Sequence, residues 1–497
     1  MRYQASVSLP VSAETAFAYH ERPGCLNRLI PPWESVTIER SDGSLRAGSR
    51  VVLKTRLMGF PLRWVAEHTV YEPPRRFCDQ QVSGPFASWE HEHRFDESAV
   101  GLRDGSLTAE TAGLEPAASG GSASVLTDRI DYRLPGGPLG RWLGGGKALH
   151  TIEAMFAYRH RVTADDLSLA TRYPLPARTV AVSGAGGLVG SSLCQLLTLL
   201  GHRVLRIVRG DAAADDEIPV WADPRLAAER LEGTDAVIHL AGKSIADQRW
   251  NDHVRAEIRD SRVVKTARLA EVLAGLGDKP SVLISASATG IYGSRGDERL
   301  TEASPLGDDF LSGVAEEWEA ACDAARQAGI RVVHPRFGVV LSPRGGALQK
   351  MLAPAKFCGG SLGSGKQWWS WIALDDVLGG LVHAMATDAL AGPVNFVAPE
   401  PVTNREFAST LGRVLSRPAL LPAPAMALRL ALGEMADALL LASTRVDCDR
   451  LRDSGYLFRF PSLEPCLRYL LGKVRLPSEV SAAIETPPPA KTPGVGP

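Results

Sequence analysis

The stretch from Thr179 to Arg209, TVAVSGAGGLVGSSLCQLLTLLGHRVLRIVR, constrains this chain more than any other. The β-branched run at 180–182 meets Ser183 and a turn through Gly184, Ala185, Gly186 and Gly187. An apolar helix pattern follows as far as Gly201, and a second apolar run spans 204–208. Strand, glycine turn, helix and strand make one βαβ unit of about thirty residues. Gly184, Gly187 and Gly190 are spaced G-x-x-G-x-x-G. The first glycine permits a sharp exit from the strand, the second lets backbone approach a pyrophosphate, and the third lets the helix pack close to the sheet. Phosphates would then face the helix N-terminus at Leu188 and Val189, where unpaired N–H groups and the helix dipole favour negative charge. The motif predicts a dinucleotide site. Its alternative is a glycine-rich turn in an α/β fold that binds no cofactor.

The end of the second strand bears on which dinucleotide. An NAD site carries an acidic residue about 20 residues past the glycines, to hold the ribose 2′-OH. This chain has Arg206 and Arg209 there. A guanidinium suits a 2′-phosphate in charge and in fork geometry. NADP(H) is therefore expected over NAD(H), unless these arginines are solvated strand-end residues.

A chain of 497 residues is expected to form two or three domains. Its net charge of −1 gives no general attraction to nucleic acid or acidic membranes. The most apolar stretch, 423–442, is interrupted by Arg429, Glu434 and Asp437, so it reads as an amphipathic helix and no stable membrane insertion is expected. The start MRYQASVSLP lacks a signal pattern. Seven cysteines stand singly, without C-x-x-C. The simplest expectation is a reduced, cytoplasmic protein without structural zinc.

Residues 1–165 have a different texture. Tyr3, Ala5, Val7 and Leu9 alternate as in a strand, and Ser12 can cap a short helix. Six further strand-like runs follow, at 35–40, 49–57, 63–71, 77–82, 88–95 and 124–134, then a helix pattern from Gly146 to Arg161. This order predicts an α+β domain with a sheet curled around one long helix. His91 and His93 share one strand face with Trp89 and Phe95. No Cys or carboxylate cluster stands beside them in the sequence, so they read as cavity-lining or surface histidines and no metal is expected. Residues 104–123, rich in Gly, Ala, Ser and Thr, read as a flexible insertion. The words HERPGCLNRLIPPWESV (20–36) and FAYRHR (156–161) resemble the START-like helix-grip, or polyketide cyclase, superfamily. The resemblance implies an apolar cavity for a hydrophobic ligand; a filled core without ligand is the alternative.

Residues 166–178, with two prolines, are expected to be a linker. The run 235–240 reads as the next buried strand, ending in His239, Leu240, Ala241 and Gly242; ligands bind at such strand ends, so the last three are cofactor candidates. A helix is expected over 252–275, a strand over 281–287 whose Ser285 is a further cofactor-binding candidate, a helix over 312–328 and a strand over 331–341. The words VSGAGGLVGSSL, VIHLAGKSIADQRW, IRDSRV, SASATGIYG, GDDFL, RFGVVLSPRGGAL, GSGKQWWSWIALDD and PVTNREFA resemble the extended short-chain dehydrogenase/reductases. Within them, they resemble the NAD(P)-dependent epimerase/dehydratase branch and its atypical "epimerase family proteins". The resemblance implies a Rossmann-type doubly wound parallel sheet over 179–400 and a small, mainly helical cap over 401–473. Residues 474–497, rich in proline, read as a disordered tail.

Active relatives in that superfamily use a tyrosine with a lysine four residues later, because a phenol near pKa 10 needs a neighbouring cation to act as a base at neutral pH. Here Phe310 and Val314 align with that pair. Ser287, Thr289 and Tyr292 are the substitute catalytic candidates. Lys243, Arg249, Trp250 and Trp371 are candidates for the substrate pocket, with loop or core roles as the alternatives. The expectation is an NADP(H)-binding oxidoreductase or epimerase acting on a small, partly apolar substrate. Two alternatives stand: a catalytically degenerate NADP(H) sensor or scaffold, and a lipid or quinone carrier working through the first domain.

Overall fold

The computed structural model describes residues 1–57, 59–98 and 122–474. Most of the expected insertion, 104–121, and of the expected tail, 475–497, lies outside them. The chain divides into two compact units, and the boundary falls between Ser168 and Leu169.

The first unit is an antiparallel sheet of seven strands: β1 (Arg2–Leu9), β2 (Thr37–Ser41), β3 (Arg50–Leu57), β4 (Phe60–Glu72), β5 (Arg76–Ser83), β6 (Ser88–Ser98) and β7 (Ala123–Arg133). Their spatial order is β1-β7-β6-β5-β4-β3-β2. The alternation read in the sequence carries through. In β6, Trp89, His91, His93 and Phe95 are buried while Glu90, Arg94 and Asp96 are exposed. Short helices Ala13–Glu21 and Cys25–Leu29 follow β1, and Ser12 caps the first of them as expected. Ile152 and Phe156 of a long helix join Tyr3, Trp89, Ile130 and Tyr132 in one core cluster.

That helix runs Gly137–Arg172, well beyond the expected 146–161. It absorbs half of the expected linker 166–178. The reason lies far away in sequence: Asp166, the first residue of the expected linker, is buried and accepts both Nε and Nη2 of Arg28 at 2.9 Å. Val162, Ala164 and Leu167 keep the apolar spacing going beside it.

The second unit is built on a parallel sheet: β8 (Thr179–Ser183), β9 (Arg203–Ile207), β10 (Glu217–Ile218), β11 (Ala236–His239), β12 (Val282–Ser285), β13 (Ser287–Ala288) and, after a two-residue bridge strand β14 (Arg299–Leu300) outside it, β15 (Arg331–Phe337). The order is β10-β9-β8-β11-β12-β15, with β13 and Gly392–Phe396 also paired to β15. Both faces are covered. Val180, Val182, Ile238 and Ile284 enter one core cluster, while Ala181, Val237 and Leu283 enter another. Strands buried on both sides therefore read as unbroken apolar runs.

Two expected helices are broken. Residues 252–275 form Asp252–Asp260 and Val263–Ala274, and 312–328 becomes Phe310–Ala320 followed by Asp323–Gln327. The C-terminal region is mainly helical. Thr403 caps Asn404–Leu415 in a reciprocal capping box with Glu406. The buried carboxylate of Asp376, on the helix Leu374–Ala386, accepts the Arg459 and Phe460 N–H groups and ties this region to that helix.

Candidate active site

The glycine turn closes between β8 and the helix Leu188–Leu199. Gly184 has φ +70°, open to glycine at little cost, and a Cβ there would sit 2.9 Å from the Leu240 carbonyl. A Cβ on Gly190 would come within 2.1 Å of the Gly184 oxygen, so the helix packs directly on the turn. Gly186 instead faces open space. The first helical bond runs from Ser191 N–H to Gly187 C=O, and no side chain caps this end. The N–H groups of Leu188, Val189 and Gly190 are therefore left outside the helical ladder. A diphosphate fits this cradle: donors converge on it, the dipole favours it, and the missing Cβ groups make room.

The two arginines at the strand end differ. Arg206 is held by Asp216, through Nε at 2.9 Å and Nη2 at 3.2 Å, and also by Glu217. Arg209 is exposed, and among the described residues no carboxylate pairs with it. Arg206 is thus committed within the chain, which leaves Arg209 as the guanidinium open to an anion.

The 240–243 turn is held by a relay the sequence did not reveal. Leu240 and Ala241 N–H groups donate to Ser183 Oγ at 3.0 and 3.2 Å. Ser183 Oγ also lies 2.6 Å from His239 Nδ1, and His239 Nε2 lies 2.9 Å from Thr266 Oγ1. With two donors already on Ser183, its own proton goes to Nδ1, so His239 carries its hydrogen on Nε2. Burial, with Lys265 adding to it, lowers the His239 pKa to about 4, which keeps the ring neutral. Trp318 Nε1 also donates to Thr266.

Beside this turn, a Cβ on Gly242 would lie 3.3 Å from the Arg262 guanidinium carbon. Arg262 stacks over Trp318 at 5.1 Å, and burial lowers its pKa to about 10. Among the described residues it has no carboxylate partner. Lys243 pairs with Glu257. Trp250 packs edge-on against Phe310 at 5.5 Å, and the Arg249 guanidinium lies against Gly433. The pocket candidates Lys243, Arg249 and Trp250 thus belong to one loop region between the turn and the cap.

Trp371 does not join them. It is fully buried and donates Nε1–H to the Glu400 carbonyl at 2.9 Å, the placement that matches the core role named as its alternative. The catalytic candidates are also internally committed. Ser287 donates to Glu319 at 2.6 Å, and Thr289 to the Phe337 carbonyl at 3.3 Å. Tyr292 is fully buried; its hydroxyl donates to Asn395 Oδ1 at 2.7 Å and accepts from Arg336 at 2.9 Å. Burial raises its pKa, against the lowering effect of Arg336. Arg336 is held by both oxygens of Glu319 at 2.8 Å. Burial pushes Glu319 up, yet Arg336 overrides this and holds it below its ordinary value. Glu319 and Arg336 are 17 residues apart and gave no signal in the sequence. Ser285, also fully buried, ends β12. Val314 is buried one turn along the helix from Phe310.

Three family models match the chain. Residues 180–397 match the NAD dependent epimerase/dehydratase family, residues 9–156 the polyketide cyclase / dehydrase and lipid transport family, and residues 423–470 a domain of unknown function, DUF1731. An epimerase family protein of Mycobacterium bovis is 40% identical over 297 residues, covering 58% of this chain and 96% of that protein. A solved nucleoside-diphosphate sugar epimerase from Corynebacterium glutamicum is 31% identical, covers 97% of this chain and 94% of its own, and superposes with a TM-score of 0.74. The human epimerase family protein SDR39U1, solved with NADPH, is 33% identical over 60% of this chain and all of its own, with a TM-score of 0.55.

Proposed function

This chain belongs to the NAD dependent epimerase/dehydratase family, and from that premise we propose that it binds NADPH in the Gly184–Gly190 cradle, with Arg209 on the 2′-phosphate. The availability of Arg209, against the commitment of Arg206 to Asp216, is the observation that carries this reading. The N–H groups of Leu188, Val189 and Gly190 would hold the diphosphate, and Arg262, bonded to the Ile258 carbonyl but to no carboxylate among the described residues, adds positive charge beside Gly242. Ala241 and Gly242 would leave room for the adenosine and its ribose. Bound NADPH would supply a hydride to a substrate carbon, whereas an epimerisation would start from the oxidised form, NADP+, which would take a hydride and return it. The substrate is proposed to be small and partly apolar, entering near Lys243, Arg249 and Trp250.

The first unit supports a second ligand. Its aromatic interior holds three buried polar atoms without a hydrogen-bond partner: Tyr3 Oη, Tyr132 Oη and Trp64 Nε1. An apolar molecule bearing a hydroxyl or carbonyl group would satisfy them.

One observation favours a different reading of the second unit, as an NADP(H) sensor. Phe310 and Val314 cannot move protons, and the Tyr292 hydroxyl is locked between Arg336 and Asn395. The two readings share the cofactor and differ in turnover.

Titration of the chain with NADPH and NADH, followed by nicotinamide fluorescence, tests the shared part. NADPH is expected to bind at least tenfold more tightly than NADH, and Arg209→Glu to abolish that preference. A tenfold preference corresponds to about 1.4 kcal/mol. Equal binding of the two nucleotides, unchanged in the variant, or no binding of either, would overturn the reading.

A further inference from the structure

We propose that the first unit holds a divalent transition-metal ion, with zinc as the natural probe, between Asp79, His91 and His93. The strand register brings these residues together. Asp79 on β5 stands opposite His91 on β6, and His93, two residues on, stands opposite Asp128 on β7. The carboxylates that were absent from the neighbouring sequence thus arrive from both adjacent strands. One donor atom from each of Asp79, His91 and His93 lies within 4.8 Å of the others.

The Asp79–His91 spacing suits a small cation. Ligands about 2.0–2.2 Å from zinc in tetrahedral array stand on the order of 3.3 Å apart. His91 Nδ1 and Asp79 Oδ2 are separated by 3.2 Å. The other His91 nitrogen, Nε2, lies 2.9 Å from Asp128 Oδ1. A carboxylate behind a ligating imidazole is the arrangement that orients the ring and raises its basicity. Asp128 is itself held through Oδ2 by His160 Nε2 at 2.5 Å.

His93 provides the independent pointer. It is 9% exposed, and its Nδ1 lies 2.6 Å from Asp128 Oδ1, the carboxylate oxygen that also faces His91 Nε2. Phe77 stacks on the ring at 4.2 Å and holds its plane. Asp128 thus backs both imidazoles, and a carboxylate behind a ring is the arrangement that orients it toward a metal.

Two imidazoles and one carboxylate suit Zn²⁺, Co²⁺ or Fe²⁺, whereas Mg²⁺ and Ca²⁺ prefer all-oxygen sites. Three protein ligands leave a fourth position for water or a ligand oxygen, as in zinc sites that act on substrates. The Asp79 side chain, 17% exposed, is the open edge through which an ion would enter.

The test uses the full chain, stripped by a chelator and dialysed against Zn²⁺, with bound metal measured after gel filtration. One zinc per chain is expected, with Mg²⁺ failing to displace it. Asp79→Asn and His93→Gln should each weaken uptake at least tenfold, while His253→Gln, at an exposed histidine, leaves it unchanged. Circular dichroism checks that each variant folds. If neither Asp79→Asn nor His93→Gln folds, the Co²⁺ spectrum of the unsubstituted chain decides alone: visible d–d bands without thiolate charge transfer are expected. No stoichiometric uptake, uptake unchanged in folded His93→Gln, or thiolate bands would overturn the proposal. The cluster would then be a metal-free network of ion pairs.

Discussion

Arg206 and Arg209 lie three residues apart, yet a single bidentate contact with Asp216 separates their roles. The same sharpness holds for the glycines. Gly190→Ala would push a methyl to 2.1 Å from the Gly184 oxygen, whereas a Cβ on Gly186 meets nothing within 4 Å. The expected cost of Gly190→Ala is about 1–3 kcal/mol, as for overpacked sites, with loss of nucleotide binding. Gly186→Ala should change stability by less than about 0.5 kcal/mol. Thermal melts and NADPH titration of the two variants check this pair; similar melting temperatures would contradict the packing argument. At this scale the cradle was legible in the sequence, because a glycine demanded by a backbone contact leaves a fixed spacing. The role of Arg206 was not, because its partner stands on the next strand.

The long helix Gly137–Arg172 shows what an element needs beyond its own pattern. Its last turns pass through two adjacent aspartates, and Asp166 is tolerated there because Arg28 neutralises it in the interior. Removing one member of such a pair leaves an uncompensated buried charge. Asp166→Ala is expected to cost about 3–5 kcal/mol. The double replacement Arg28→Met with Asp166→Leu should recover most of that loss, since apolar pairs of similar volume often replace buried ion pairs without penalty. Urea unfolding of the three variants measures both outcomes. A double variant as weak as Asp166→Ala would show that the pair does more than neutralise charge. The strands of the first unit, by contrast, were legible to within three residues at each end, since period-two alternation is local.

For the second unit, pH exposes how much depends on histidines kept neutral by burial. His239, His334 and His383 each have a pKa lowered to about 4 from the ordinary 6.5, desolvation being the first cause in all three. A lowered folded value means that the unfolded chain binds more protons between about pH 4 and pH 6.5. Stability from these groups is therefore full above about pH 6.5 and is lost as pH falls toward 4. Each histidine contributes a slope of up to about 1.4 kcal/mol per pH unit inside that window. Urea unfolding at several pH values should show this loss, and His334→Gln should reduce the slope by about one proton. An unreduced slope would mean that His334 is protonated in the folded chain as well.

The sequence by itself determined the α+β unit followed by a parallel-sheet unit, the glycine cradle and the helical C-terminal region. The first unit's strands and the glycine cradle follow from periodicity, caps and glycine spacing, which act between near neighbours; the extent of the parallel sheet and the helical C-terminal region were implied by the family resemblance of the sequence words. Only the tertiary structure decided which arginine is open, that Trp371 and Tyr292 are buried, that Glu319 and Arg336 lock the strand ends, and that Asp79 and Asp128 flank two histidines. Each of those depends on charges or hydrogen bonds brought together by strand register and helix packing, and such partners carry no mark of one another along the chain.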